Sequence, residues 1–313
     1  FLKLLNVYYD TEHCPATFDF GTYLVSANAV RQLMKLDGMK IMISAEKFRK
    51  ASPRELVDGV EHDFRWRVKH ILASIPHLLP SVKSVEVRLT PCDIVQFPSF
   101  PPVYAPGTPA KIPYTATFLK NFYGQPCDLR PYRASVRAKD HVKSLLKLNE
   151  ESEFVTMTFR TSKFQPERNS NLSEWFKVYE HLKQKNIKVL VIPDFEDLMT
   201  ENQALAMNWE VFIPAVFDHD LRLALYEMAT DNYCINNGVI VPLMHSEARY
   251  KLFKWLTPGV KTCSPEWSKS VWDLEYGEDF KFSNSQQELI WEQDTYEVII
   301  ESLRKTGPLV GRI

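Results

Sequence analysis

Cysteine is scarce and scattered. Five residues, Cys14, Cys92, Cys127, Cys234 and Cys263, are spread over 313 positions with no CxxC pair. An odd number at such distances argues against a disulfide framework and suits a reducing, intracellular compartment. Long apolar runs are also missing. No window of eighteen apolar residues occurs, so no membrane-spanning helix is expected, and the opening FLKLLNVYYD reads as a strand rather than a signal peptide. Charge of one sign is equally lacking: the formal net charge is -1 and no five like charges run together. Such a balance leaves no electrostatic footprint for a polyanion, and nucleic acid is not an expected partner.

What is present is apolar bulk. Hydrophobic residues make up 45% of the chain and aromatics 12%, enough to bury a large core over a length about twice that of one ordinary domain. Two domains are the expectation.

The order of elements supports it. KLLNVYY (3–9) reads as a strand and is followed by a long polar loop, DTEHCPATFDFG. YLVSANAVRQLMKL (23–36) places apolar groups at helical spacing, Asp37-Gly38 ends it, and MKIMIS is a second strand, completing a βαβ unit. A helix from about Asp63 to Ile75 stops at Pro76 and precedes the strand SVEVRL. Phe97 to Pro113 holds six prolines and promises little regular structure, as a substrate-facing loop or a rim of the first domain. ASVRAKDHVKSLLKL (134–148) reads as a helix and the charged NEESE as a hinge.

A second series then begins: the strand FVTMTF, the helix SNLSEWFKVYEHLKQKN, the strand IKVLVIPD, WEVFIPA as a weaker strand, the helix DLRLALYEMA, a short strand 231–235 and a tight Asn-Asn-Gly turn into another helix. Near-continuous branched residues in KVLVI mark a parallel sheet covered on both faces. From Ser283 onward a strong final helix is expected, with Leu289, Tyr296 and Ile300 on its apolar stripe. Two βαβ series joined by a polar hinge predict an α/β protein with two Rossmann-like, doubly wound domains facing across a cleft. The expected limits are 1–148, 149–282, and a helix within 283–313 packing back across the hinge.

In open parallel sheets ligands bind beyond the carboxyl ends of the strands, where helix N-termini present N–H groups to anions. The turn after FVTMTF, RTSKFQPERNSNLSEW, brings Arg160, Lys163 and Arg168 together with Ser162, Ser170 and Asn171 before a helix capped by Asn171 or Ser173. Guanidinium groups with hydroxyl and amide donors at a helix start suit a phosphate or diphosphate; the plain alternative is a solvated loop with an ordinary cap. Asn236, Asn237 and Gly238 form a second such corner, with Gly238 free to take φ > 0 or to admit a ligand close to its backbone; the plain alternative is a structural turn. Asp194, closing KVLVIPD, is placed to meet a ribose or base, or to cap the next segment. His219 and His245 stand too far in sequence from other ligand types to argue for a metal site, and the tryptophans, with no common spacing, read mostly as packing.

A strand, an Arg-containing loop opening a helix, a further strand, then LALYEMATDNYCINNGVIVPLMHS: this succession resembles the C-terminal nucleotide-binding domain of GT-B glycosyltransferases, with heptosyltransferase-like members nearest. It spans residues 150 to 260, and the N-terminal half matches by layout only. The resemblance implies transfer of a sugar from a nucleotide-activated donor to a glycan or glycolipid acceptor on the cytoplasmic side of an envelope pathway, with peripheral contact at a membrane left open. Asn236, Asn237 and Gly238 match the family's small-residue turn, and Arg160 and Arg168 its basic loop. One departure is VIVPLMHS, which leaves His245 without an assigned donor contact. No DxD stands at a strand end and no Walker motif occurs, which disfavours a metal-dependent GT-A enzyme and a P-loop NTPase. The diphosphate is then neutralised by arginines and helix N-terminal N–H groups instead of Mg²⁺, with no cofactor beyond the donor.

An inverting enzyme needs a general base, and the loop after the first strand offers Asp10, Glu12, His13 and Asp19. Asp19, flanked by Phe18 and Phe20, is the first choice, because aromatic neighbours would desolvate it; His13 is the second, and exposed loop charges are the plain alternative. Rival readings of the whole chain are a GT-B-shaped sugar-nucleotide epimerase or polysaccharide pyruvyltransferase, and a non-catalytic binding module of the same shape.

Overall fold

The structure, a computed structural model, describes residues 2–46, 60–90, 95–102, 116–149, 152–195, 198 and 207–313. It divides into two compact units, Phe1–Arg133 and Ala134–Ile313.

In the first unit, β1 (Leu4–Asp10), α1 (Asp19–Leu33), β2 (Gly38–Ser44), α2 (Val60–Arg67), β3 (Val82–Arg88) and β4 (Ser99–Phe100) follow one another. The strands form a parallel sheet of order β3-β2-β1-β4, with β1 and β2 in register from Leu4↔Gly38 to Asp10↔Ser44. Helix α1 buries ten consecutive residues, Phe20 to Ala29, as expected of a helix with apolar or small residues all round. It begins four residues earlier and ends three earlier than its apolar spacing suggests. Lys35, at φ 55°, takes the left-handed position that ends it, while Gly38 opens β2, where an added Cβ would stand 2.8 Å from the Ser81 carbonyl oxygen. The expected loop 97–113 contains β4, which pairs with β1; residues 103–113 of it lie outside the described residues.

In the second unit come α3 (Val136–Leu146), β5 (Phe154–Thr158), α4 (Leu172–Gln184), β6 (Lys188–Ile192), α5 (His219–Met228), β7 (Asp231–Ile235), β8 (Tyr250–Phe253), β9 (Gln287–Leu289) and α6 (Tyr296–Lys305). Their sheet is parallel, in the order β6-β5-β7-β8-β9. Alternation along β5 sorts its side chains by face. Val155, Met157 and Phe159 join Trp175, Val178 and Leu182 of α4 and Ile299, Ile300 and Leu303 of α6 in one core. On the other face Thr156 donates to Asn232 Oδ1 at 2.6 Å, and Thr158 meets the Tyr226 hydroxyl of α5 at 2.8 Å.

Three expectations need correction. The boundary lies between Arg133 and Ala134, not after residue 148, because α3 packs on α5: the amides of Ala134 and Ser135 donate to Glu227 and Asp220, and Lys139 pairs with Glu227 at 2.6 Å. The tail is not one helix from Ser283. Gln287 and Leu289 are buried in β9, with the Gln287 amide donating to the Ser246 and Ala248 carbonyls, and the helix starts only after Thr295, whose side chain caps Val298 N. That helix adds to the second unit's own core. WEVFIPA contributes a single bridge, Val191↔Val211, in place of a strand.

Candidate functional site

Beyond Thr158 the chain leaves the sheet and closes a loop on itself. Arg160 N donates to Ser170 Oγ at 3.0 Å and Ser170 N returns to the Arg160 carbonyl at 2.9 Å. Inside, the Arg160 guanidinium donates to the carbonyls of Gln165 (2.9 Å) and Phe164 and to Asn169 Oδ1. With 4% of its surface exposed, Arg160 holds the loop's shape from within. The exposed cation of this segment is Lys163.

Arg168 links two loops. Its Nη1 donates to Gln165 Oε1 at 3.1 Å and its Nη2 to the Asn236 carbonyl at 3.2 Å. The loop after β5 and the corner after β7 are therefore joined. At that corner Asn236 donates through Nδ2 to the Trp255 carbonyl at 3.3 Å, and Asn237 is extended. Gly238 opens a right-handed 3-10 turn, Gly238–Ile240, and is not a left-handed glycine. Two donors here, Arg168 Nε and Asn237 Nδ2, are buried and have no hydrogen-bond partner among the described residues.

Asp194, after β6, accepts from Thr161 N at 3.3 Å, so a third strand end meets the same loop. Asn171 sits at the N-cap position of α4 without capping it through its side chain. Its backbone amide instead donates to Asp294 Oδ2 at 2.7 Å. Lys254 and Asp294 were not anticipated. Lys254 Nζ donates to the Asn169 carbonyl at 2.6 Å and lies 3.5 Å from Asp294, so the pair fastens the loop to the end of β8. A lysine closing an apolar strand, KLFK, was the available signal. His245 is fully buried and stacks on Phe282 with ring centroids 4.4 Å apart.

The first unit holds its own candidates beyond β1. Asp10 is buried and accepts from Glu12 N at 2.9 Å. His13 is half-buried, with Nε2 enclosed and without a partner among the described residues. Asp19 is exposed in the first turn of α1 and accepts from Thr17 Oγ1 at 2.9 Å. The expected desolvation by its neighbours does not occur: Phe20 turns inward onto Tyr9 and Tyr23, while the carboxylate turns outward. Among the described residues no cluster of three or more His, Cys, Asp or Glu side chains could hold a metal ion, and no helix is long and apolar enough to cross a membrane.

At the level of sequence, neither a family model nor a curated protein matches the chain. Its fold has relatives among solved structures. The E. coli ADP-heptose LPS heptosyltransferase II superposes at a TM-score of 0.50 with 13% identity, over 97% of this chain and 98% of that one. A glycosyl transferase of family 9 from Veillonella parvula gives 0.49 with 9% identity over 98% and 90%, and the E. coli heptosyltransferase WaaC gives 0.46 with 8% identity over 96% and 99%. The chain has the GT-B fold.

Proposed function

We propose that the protein is a metal-independent, inverting glycosyltransferase that takes a sugar from a nucleoside diphosphate donor and passes it to a glycan or glycolipid acceptor. One observation carries this reading. Arg168 and Asn237, on two loops tied together by the Arg168–Asn236 contact, each keep a buried N–H without an acceptor. An unsatisfied buried donor costs about 1–3 kcal/mol, and an oxygen-rich anion at the carboxyl ends of β5 and β7 would offset that cost twice. Lys163, exposed on the same loop, adds positive charge. Ser170 and Asn171 shape the loop, and Asp194 steadies it through Thr161 N.

The chemistry is then leaving-group stabilisation. The acceptor hydroxyl loses its proton to a base and its oxygen attacks the anomeric carbon. The bond from that carbon to the diphosphate oxygen breaks, and the leaving pair of electrons is stabilised by preorganised N–H donors. The base is assigned to Asp19, which accepts a hydrogen bond from Thr17 Oγ1 and is exposed, with His13 second.

Isothermal calorimetry and thermal shift with ADP, UDP and GDP test the donor assignment, since a ligand of the folded state raises the midpoint by mass action. Binding of one diphosphate that weakens in Arg168→Ala supports it; no binding by any of the three overturns it.

A further inference from the structure

One charge in the second unit has no place in the loop network. Arg222 lies on the inner face of α5 and is 4% exposed. Its Nε donates to the Ala215 carbonyl at 2.6 Å, and Tyr226 stands one helical turn on. Among the described residues no carboxylate pairs with it, and Nη1, which is buried, has no partner. Every other buried cation described above has a stated purpose: Arg160 braces its loop and Lys254 meets Asp294.

The location gives the charge a direction. Helix α5 ends at Met228, just before β7 starts at Asp231, so its early turns lie toward the carboxyl ends of the strands. The Tyr226 hydroxyl confirms the placement, because it meets Thr158, the last residue of β5, at 2.8 Å. Arg222 thus stands one turn closer to that end than Tyr226. A buried guanidinium with one carbonyl as its recorded acceptor is costly to the fold. A neutral side chain of equal length would pack there at lower cost, so the folded chain alone gains nothing from the charge.

We infer that Arg222 is a buried countercharge for a nucleoside diphosphate seated at the carboxyl end of β5, acting through its field rather than through surface contact. The inference rests on the donor reading above. At a distance of ~10 Å and an effective dielectric of about 20, one buried cation changes affinity by roughly tenfold per unit of ligand charge.

The experiment is calorimetry on the full chain of wild type, Arg222→Met, Arg222→Gln and Arg222→Lys, each titrated with the nucleoside, its monophosphate and its diphosphate. Arg222→Met is expected to lose at least about tenfold for the diphosphate, less for the monophosphate and nothing for the nucleoside. Arg222→Lys, which keeps the charge, should preserve the graded response. A merely structural role predicts equal losses for all three ligands, and that result overturns the inference, as does an unchanged diphosphate affinity in Arg222→Met. If Arg222→Met does not fold, Arg222→Lys against Arg222→Gln decides: the same loss of gradation in both overturns it. A wild type that binds no nucleotide sinks the donor reading itself, an outcome distinct from both of these.

Discussion

Lys254 and Asp294 meet at 3.5 Å with their side chains 10% and 3% exposed, and together they hold the far end of the loop that follows β5, where it enters α4. Lys254 reaches the Asn169 carbonyl, while Asp294 Oδ2 takes the Asn171 amide at 2.7 Å and the Trp175 indole at 2.9 Å. Replacing Asp294 by alanine strands an ammonium and two N–H donors in the interior. The expected loss is about 3–5 kcal/mol in urea unfolding, as for other broken buried pairs. Asp294→Asn, which keeps a carbonyl acceptor, should lose clearly less. Equal midpoints for wild type and Asp294→Ala would show that the pair does not bear on stability.

Arg168 and Asn237 make a contrasting pair of predictions. Both carry unsatisfied buried donors, so removing Asn237's amide with Asn237→Ala should leave the ligand-free protein as stable or up to ~1 kcal/mol more stable. The same change should weaken a nucleoside diphosphate by about tenfold. Arg168→Ala loses charge-assisted bonds and should weaken it by roughly 10–100-fold. Calorimetry and urea melts on the same preparations separate the two effects; Asn237→Ala losing stability while keeping affinity would contradict the assignment.

Much of this architecture was legible in the chain, and the failures have physical reasons. FVTMTF and KVLVI could be read because strands buried on both faces are mostly apolar, and β5 and most of β6 are buried. The Asn-Asn-Gly corner could be read because a polar, small-residue break between apolar runs has few other uses. Ser283 to Glu292 could not. Gln287 looks like a surface residue until its amide is seen bonded to carbonyls at 246 and 248, and that depends on which strand lies beside it. Arg160 failed in the same way. Its sequence neighbours suggested an outward charge, yet its acceptors are carbonyls of its own loop, and a backbone acceptor leaves no mark in composition. Arg222 was hidden inside an ordinary amphipathic helix.

Asp19 and His13 make a kinetic prediction. If Asp19 takes the acceptor's proton, Asp19→Asn should lower kcat by about 10²–10⁴ while the diphosphate Kd stays within about twofold, since the change touches turnover and not donor binding. His13→Gln should leave most of the activity. The reverse ranking in single-turnover assays would move the base to His13.

The remaining prediction concerns the amino-terminal end of the central strand of the second sheet. Asp231, the first residue of β7, is 2% exposed, and burial pushes its carboxyl up to about 6 against the lowering pull of Lys251 and Arg249. Glu288 adds a further upward push, although it is paired with Lys251 at 2.7 Å; Tyr233 and the glycine turn at Gly307 also face this group. A folded-state value above the unfolded 3.8 means that the folded chain binds the proton more tightly. This contribution to stability is therefore fully present below pH 3.8, is lost as pH rises to about 6, and stays lost above it. Two units correspond to about 3 kcal/mol. Carboxylates held by lysines, such as Glu174 and Asp273, are shifted down and push the whole-protein profile the other way, so the measurement is a difference. The stability of Asp231→Asn minus that of wild type should rise by about 3 kcal/mol between pH 4 and pH 7, whatever its absolute sign. Urea melts at half-unit steps across that range would read it, and a difference that stays flat would mean that Asp231 is already charged in the fold at pH 4.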